Sequence, residues 1–195
     1  MYNDAIKSKA SKLSHKLAIK PKYLIVAFIN GAVILMLEII DARIMAPYFG
    51  ASIYVWTAII GVILTALSLG YWYGGVLADK KAKKLLIADI FLLASNTLLV
   101  SRLVQDSILA FVIDNVDGLR LQAFVAAMLI FFPLNVLLGM VSPFIAEISL
   151  KDTSKAGRTV GSLFAAGTLG SIFGVFITGY FLLGVFGNSS ILICL

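Results

Sequence analysis

Two carboxylates and a guanidinium stand close together in an otherwise apolar stretch, in the pattern Glu38-x-x-Asp41-x-Arg43. Glu38 and Asp41 are three positions apart, so on a helix their side chains share one face. At 1.5 Å per residue, Glu38 lies about 24 Å along such a helix from Lys22. That depth is well inside the hydrocarbon of a bilayer, where an ionisable side chain costs at least about 2.5 kcal/mol and marks an ion pathway or a buried pair.

Two interpretations fit this cluster. In the functional one, Glu38 and Asp41 bind a cation or a proton, and Glu38 is the stronger candidate because it lies deeper. In the structural one, Arg43 extends outward to the membrane surface, and Glu38 or Asp41 pairs with Arg102 or caps a neighbouring backbone.

A later apolar stretch carries Pro133, Asn135 and Pro143. Proline lacks the N–H that a helix needs and frees a carbonyl, so this helix is expected to be kinked or broken. Unwound backbone is tolerated inside a membrane where protein or a watery cavity covers it. Asn135 is therefore a candidate ligand contact, and the alternative is a kinked helix that only packs.

Asp79 ends another apolar stretch and is followed by Lys80 and Lys81. An acid beside lysines at the mouth of the bundle can pair across a loop, so we expect a structural latch here. The alternative is a plain helix end in the headgroup region.

The chain lacks the residues that several other kinds of site require. The single histidine, His15, excludes a triad and a histidine-based metal site, and the single Cys194 excludes a cysteine cluster. There is no phosphate-binding glycine motif of the Walker type, and no dinucleotide-binding motif. We therefore expect no cofactor, no metal and no enzyme activity within these 195 residues.

The elements that carry these residues are predicted to be membrane-spanning helices in an all-α bundle. Hydrophobic residues make up 61% and charged residues 13%, against about 45–50% and about 25% in soluble domains, and mean hydropathy is +1.01. A basic segment at 1–22 precedes a transmembrane domain at 23–195. The predicted spans are 23–46, 55–78, 85–104, 119–145 and 160–185, with a sixth that starts near 190. For this sixth span we expect either a coding region truncated within it or a chain that is the front part of something longer.

The basic residues predict the orientation of the spans. Thirteen of the 16 lysines and arginines lie in residues 1–22 and in the loops after the second and fourth spans, all on one side. The positive-inside rule therefore predicts a cytoplasmic N-terminus in the inner (cytoplasmic) membrane. This placement also argues against nucleic acid as the partner of the net charge of +6.

The N-terminal segment itself shows a helical pattern. Within residues 6–17 the apolar side chains fall on one face and the lysines away from it, which predicts an amphipathic helix on the anionic leaflet. A disordered basic tail that serves only as a topology signal is the alternative.

The chain also shows a weak internal repeat. The first and fourth spans end in Ala46-Pro47-Tyr48-Phe49 and Ser142-Pro143-Phe144-Ile145. The spans that follow carry Gly70-x-x-x-Gly74 and Gly170-x-x-x-Gly174, the latter extended by Ala166 into a close-packing face. Three spans per unit would place the two units in opposite orientations, as in the 3+3 inverted repeats of many transporters.

Several blocks resemble the membrane domain of spermidine synthase-like proteins, and together they extend over about residues 25–190. The most specific block runs from Leu37 to Gly50, and the others are Tyr54–Val62, Leu67–Trp72, Gly74–Asp79, Leu138–Pro143 and Leu169–Ile172. In that family a helical domain, distantly like one half of a major facilitator transporter, is often fused ahead of a polyamine aminopropyltransferase domain.

The resemblance implies a role for the chain in polyamine biosynthesis or transport. The catalytic domain of fused relatives is absent, so none of its catalytic residues has a counterpart here. We expect a module that moves or channels a polyamine with a cytoplasmic aminopropyltransferase, or a homodimer of half transporters. A membrane anchor that transports nothing is the alternative, as is a major-facilitator-like half transporter for another solute.

Overall fold

Most of these helices are apolar around much of their circumference, as expected where one face packs and the other meets lipid. The computed structural model describes residues 20–81, 84–150 and 156–185. The described chain is 94% helical and has no strand, which confirms the predicted all-α bundle. The amphipathic segment at 6–17 and the span that starts near 190 lie outside the described residues.

Seven α-helices and one π-helical turn make up this part of the chain. They are α1 (Pro21–Phe49), α2 (Ile53–Lys81), α3 (Lys84–Asn115), α4 (Leu119–Ile130), α5 (Phe132–Ser149), α6 (Ala156–Ile177), the π turn (Thr178–Leu182) and the short α7 (Leu183–Val185). Five of them, counting α6 with its π turn, are long and apolar enough to cross a membrane, and α4 is shorter.

The third helix is longer than the predicted span 85–104, because polar residues after Val104 continue it rather than end it. Arg102 lies 3.8 Å from Asp106 one turn later on the helix surface. The Asn115 amide donates to the Phe111 carbonyl at 2.8 Å in the last turn. The helix ends before Gly118, whose φ of 88° favours glycine.

The fourth run is broken, as Pro133 predicts. α4 ends at Ile130, Phe131 has φ −101° and ψ −26°, and α5 begins at Phe132 with the proline in its first turn. Proline fits there because the first helical N–H groups have no partner in any helix. Pro143 lies inside α5, which continues through it to Ser149.

The helices run alternately up and down, so the bundle has two distinct ends. A hydrophobic cluster joins the start of α1 and α3, the end of α2 and α5, and the early part of α6, through Tyr23, Ile90, Ala78, Ile145 and Leu163. Of the basic residues that the structure describes, most lie at this end, which we call the basic end. The other end, where α1 meets α2, is the far end.

Two pairs of parallel helices form the centre of the bundle. α1 lies along α6, and α2 lies along α5. The pairs meet where the Asn30 Nδ2 on α1 donates to the Leu138 carbonyl on α5 at 3.3 Å.

Glycines hold each pair at close range. A methyl group on Gly70 would overlap the Val136 carbonyl, and one on Gly74 would meet the Met140 backbone. In the other pair, Gly170 lies against the Phe28 carbonyl and Gly174 against the Ala32 backbone, with Ala166 half-buried one turn before Gly170. The predicted close-packing face therefore lies in the interface.

These contacts repeat between the pairs as an inverted repeat requires, but the predicted register, which aligned Pro47 with Pro143 at a difference of 96 positions, is wrong by about three helical turns. Gly70 contacts Val136, and Gly170 contacts Phe28. The two partners, Phe28 and Val136, are 108 positions apart in the sequence. The same difference relates Met140 to Ala32, and it separates Asn30 from Leu138. Leu138 is therefore the position in the second repeat that is equivalent to Asn30 in the first. The hydrogen bond between them joins equivalent positions, so it lies on the approximate two-fold axis that relates the two repeats.

Replacing Gly70 with alanine should destabilise the bundle by about 1–3 kcal/mol, because the new methyl group meets a backbone that cannot move aside. Gly61→Ala on the same helix is the matched control, since nothing lies within 4 Å of that position. Unfolding of the two variants by dodecyl sulfate in mixed micelles measures the difference. Equal unfolding midpoints would contradict the close approach of α2 and α5.

Candidate functional site

The acidic pair lies on α1 in the half of the bundle away from the basic end. Asp41 is about 30 Å along the helix from Pro21 and is only 5% exposed. Glu38, one turn earlier, is half-buried, and Arg43 is exposed. Fully buried apolar side chains, Ile40 and Met45, flank the pair on the same helix.

Asp41 makes no hydrogen bond or ion pair with any residue that the structure describes. Arg43, two positions later, is exposed, and its Nη1 donates to the Leu183 carbonyl at 3.5 Å; its extension to the membrane surface stays a prediction. Arg102 lies on α3 beside Asp106. Burial of a carboxylate that lacks a partner within the described chain is costly, so packing alone does not account for Asp41.

The π turn adds a second buried polar group in the same half. It contacts α1 and contains Thr178, which is fully buried and whose Oγ1 has no hydrogen-bond partner in the described residues. π turns disturb the regular carbonyl pattern of a helix and are frequent at functional sites. The sequence gives no short signature for such a turn, so nothing there distinguishes Thr178.

Asn135 serves the break between α4 and α5. Its side chain is 1% exposed, and its Nδ2 donates to the Phe131 carbonyl at 2.9 Å, which its backbone N–H also reaches at 3.2 Å. Its Oδ1 has no partner among the described residues. This geometry agrees with the packing alternative, and a ligand contact at Asn135 stays a prediction.

Asp79 is exposed at the basic end, near the close of α2. It forms no ion pair with a described residue. The loop residues 82–83 and 151–155, across which a latch would act, lie outside the described residues.

A cavity of about 450 Å³ lies where α1, α2, α5 and α6 converge. Ligand-binding cavities typically measure about 300–1,000 Å³. Equivalent positions of the two repeats line it in pairs: Ile34 and Ser142, Leu35 and Pro143, Leu67 and Gly167, and Tyr71 and Ser171. The cavity therefore lies between the two repeats.

The cavity and the acidic pair are neighbours on α1. Ile34 and Leu35 line the cavity, and Glu38 follows Ile34 by one turn, about 6 Å along the helix. Asn30 also lines the cavity and was missed by the sequence analysis. The available signal was a lone amide next to a glycine in the first apolar run.

No group of three or more histidine, cysteine, aspartate or glutamate side chains within the described residues could hold a metal ion. The chemistry that the site offers is therefore that of two carboxylates, a buried hydroxyl and the amide of Asn30.

Fold and site define a class: a multi-pass α-helical membrane protein with a cavity at the interface of two repeats and a carboxylate pair next to it. Comparison with protein-family models, with curated proteins and with solved structures finds no match to this chain.

Asp41→Asn should stabilise the protein at pH 8, by up to about 2.5 kcal/mol, because the substitution removes a buried charge without removing a described partner. Glu147→Gln, which changes an exposed carboxylate on α5, should leave stability within about 0.5 kcal/mol of the unmodified protein. Thermal unfolding in detergent provides the comparison. A destabilised Asp41→Asn variant would mean that the carboxylate is held by a favourable contact.

Proposed function

We propose that this chain is a membrane module that binds and moves a small organic cation, with Glu38 and Asp41 as the binding carboxylates. The observation that carries the proposal is the burial of Asp41, 5% exposed and without a described partner, inside a helix apolar enough to span a membrane. Such a residue is retained at a cost to stability, and transport sites are where that cost is commonly found.

Two carboxylates suit a cation with more than one ammonium group. Side chains one turn apart on a helix have Cβ atoms about 5–6 Å apart, so neighbouring amines of one chain can reach both. The resemblance to the membrane domain of spermidine synthase-like proteins supports a polyamine as this cation. It also supports a cytoplasmic aminopropyltransferase as the partner of the module.

The helix arrangement supports movement as well as binding. Parallel pairs related by an inverted repeat can rock against each other, which would move α1 and its carboxylates relative to α2 and α5. The break at Phe131 gives the fourth span a point where its two parts can change their angle.

An anchor that transports nothing is the second candidate. It is favoured by one observation, namely that no charged side chain lines the cavity. A half transporter for an uncharged solute would fit the same observation.

Flux of spermidine into liposomes that contain the purified chain tests the first candidate. Asp41→Asn should lower the initial rate at least about tenfold, and Glu38→Gln several-fold, because each removes charge that offsets desolvation of the cation. Glu147→Gln is the matched control and should leave the rate unchanged, since its carboxylate is exposed on another helix.

Unchanged flux in both α1 variants would overturn the transport proposal. No flux in the unmodified chain, together with stable binding to an aminopropyltransferase, would favour the anchor. Flux of an uncharged solute that is insensitive to both substitutions would favour the half transporter.

The proposed orientation places the basic end in the cytoplasm. Two single-cysteine variants in a Cys194→Ser background test it, Ser52→Cys at the far end and Lys80→Cys at the basic end. In intact cells an impermeant maleimide should label the first, and it should label the second only after permeabilisation. The reverse pattern would show that the N-terminus lies outside.

A further inference from the structure

The proposed cation site, formed by Glu38 and Asp41, gives no role to the central cavity. The cavity is bounded mainly by apolar side chains, and its polar residues are Asn30, Tyr71, Ser142 and Ser171. None of its lining residues is an acid, a base or a histidine. An ionised group would enter such a site at a large desolvation cost, so the cavity is suited to an uncharged ligand.

Asn30 supplies the one buried polar side-chain atom in this lining that has no hydrogen-bond partner in the described chain. The residue is 3% exposed, its Nδ2 donates to the Leu138 carbonyl, and its Oδ1 has no hydrogen-bond partner in the described chain. The carbonyl of Leu138 can only accept, which fixes the amide with Oδ1 as the free acceptor. Ser171 is already engaged, because its Oγ donates to the Gly31 carbonyl at 3.1 Å.

Two aromatic side chains that line the cavity, one on α2 and one on α6, are exposed. Tyr71 on α2 is 44% exposed and Phe164 on α6 is 64% exposed, and both line the cavity. Outward faces of spanning helices meet the hydrocarbon of the bilayer, so a ligand partitioned into the membrane can reach the cavity from there.

We propose that the cavity is a binding site for a neutral amphiphile, an aliphatic alcohol whose hydroxyl donates to Asn30 Oδ1 while its apolar body fills the space between the two helix pairs. The hydroxyl completes the hydrogen bonding of Asn30, and the apolar lining excludes charged head groups. This site is separate from the carboxylate pair and does not depend on cation transport.

A photoreactive eight-carbon alcohol, with the reactive group on its chain, tests the proposal in the full chain reconstituted into phosphatidylcholine vesicles. A photoreactive alkane of the same length is the matched probe without a donor. The alcohol should label peptides that contain residues 27–35 and 163–171, and unlabelled octanol should compete. Asn30→Leu should weaken alcohol binding about tenfold, the effect of one lost hydrogen bond to a buried acceptor, and should leave alkane labelling unchanged.

Leu35→Trp provides a second variant that keeps Asn30 and fills the cavity from a half-buried position. It should reduce labelling by both probes at these peptides. Equal labelling by alcohol and alkane that is unaffected by Asn30→Leu would overturn the proposal and show only a slot for acyl chains. Labelling confined to other parts of the chain would overturn it as well.

A competition experiment distinguishes the two possible sources of the hydroxyl, a membrane lipid and a free small alcohol. Diacylglycerol added to the vesicles competes if the ligand is a membrane lipid, whereas competition by octanol alone indicates a free small alcohol. The labelling uses no cation, so its failure leaves the flux result intact, and absence of spermidine flux leaves the labelling result intact.

Discussion

Close approach of backbones within the two helix pairs is the constraint on which the rest of this structure depends. A bilayer gives apolar helices no reason to associate through burial from water, so contact must come from shape and from polar groups. Gly70 and Gly74 on α2, and Gly170 and Gly174 on α6, provide that shape because they have no side chain where the partner backbone comes closest. The cavity exists because each pair is tight within itself and the two pairs meet over a limited area.

Several buried polar side chains in the bundle are only partly satisfied. Asn135 donates through Nδ2 at the helix break, but its Oδ1 has no partner in the described chain, and the same holds for the Oδ1 of Asn30 and the Oγ1 of Thr178. Asp41 is buried on α1, and Asn30 lines the cavity between the repeats. Lone polar groups in an apolar interior are costly, and the functional proposals rest on Asp41 and Asn30 because these two lie next to or at the cavity.

The helices were predictable because hydrophobic length alone determines a spanning segment, and Pro133 made the break predictable because its ring removes a hydrogen bond. The close-packing faces of α2 and α6 were predictable because their glycines are spaced four residues apart. The extension of α3 to Asn115 was not predictable by hydropathy, since Arg102 and Asp106 lower it while pairing along the helix. Neither the cavity nor the place of Asn30 in its lining was predictable from the sequence. Which faces of four helices converge depends on packing angles and on contacts between residues that are distant in sequence.

The approximate two-fold axis through Asn30 and Leu138 relates chemically unequal halves. At the 108-position difference set by that contact, Glu38 and Asp41 correspond to Ala146 and Ser149. Inverted-repeat transporters change access when their two units exchange conformations. With equal units the two access states would have the same free energy. Here both carboxylates belong to one unit, so an exchange of conformations would change their surroundings. If the chain transports a cation as proposed, this asymmetry would give it a resting preference for one side of the membrane.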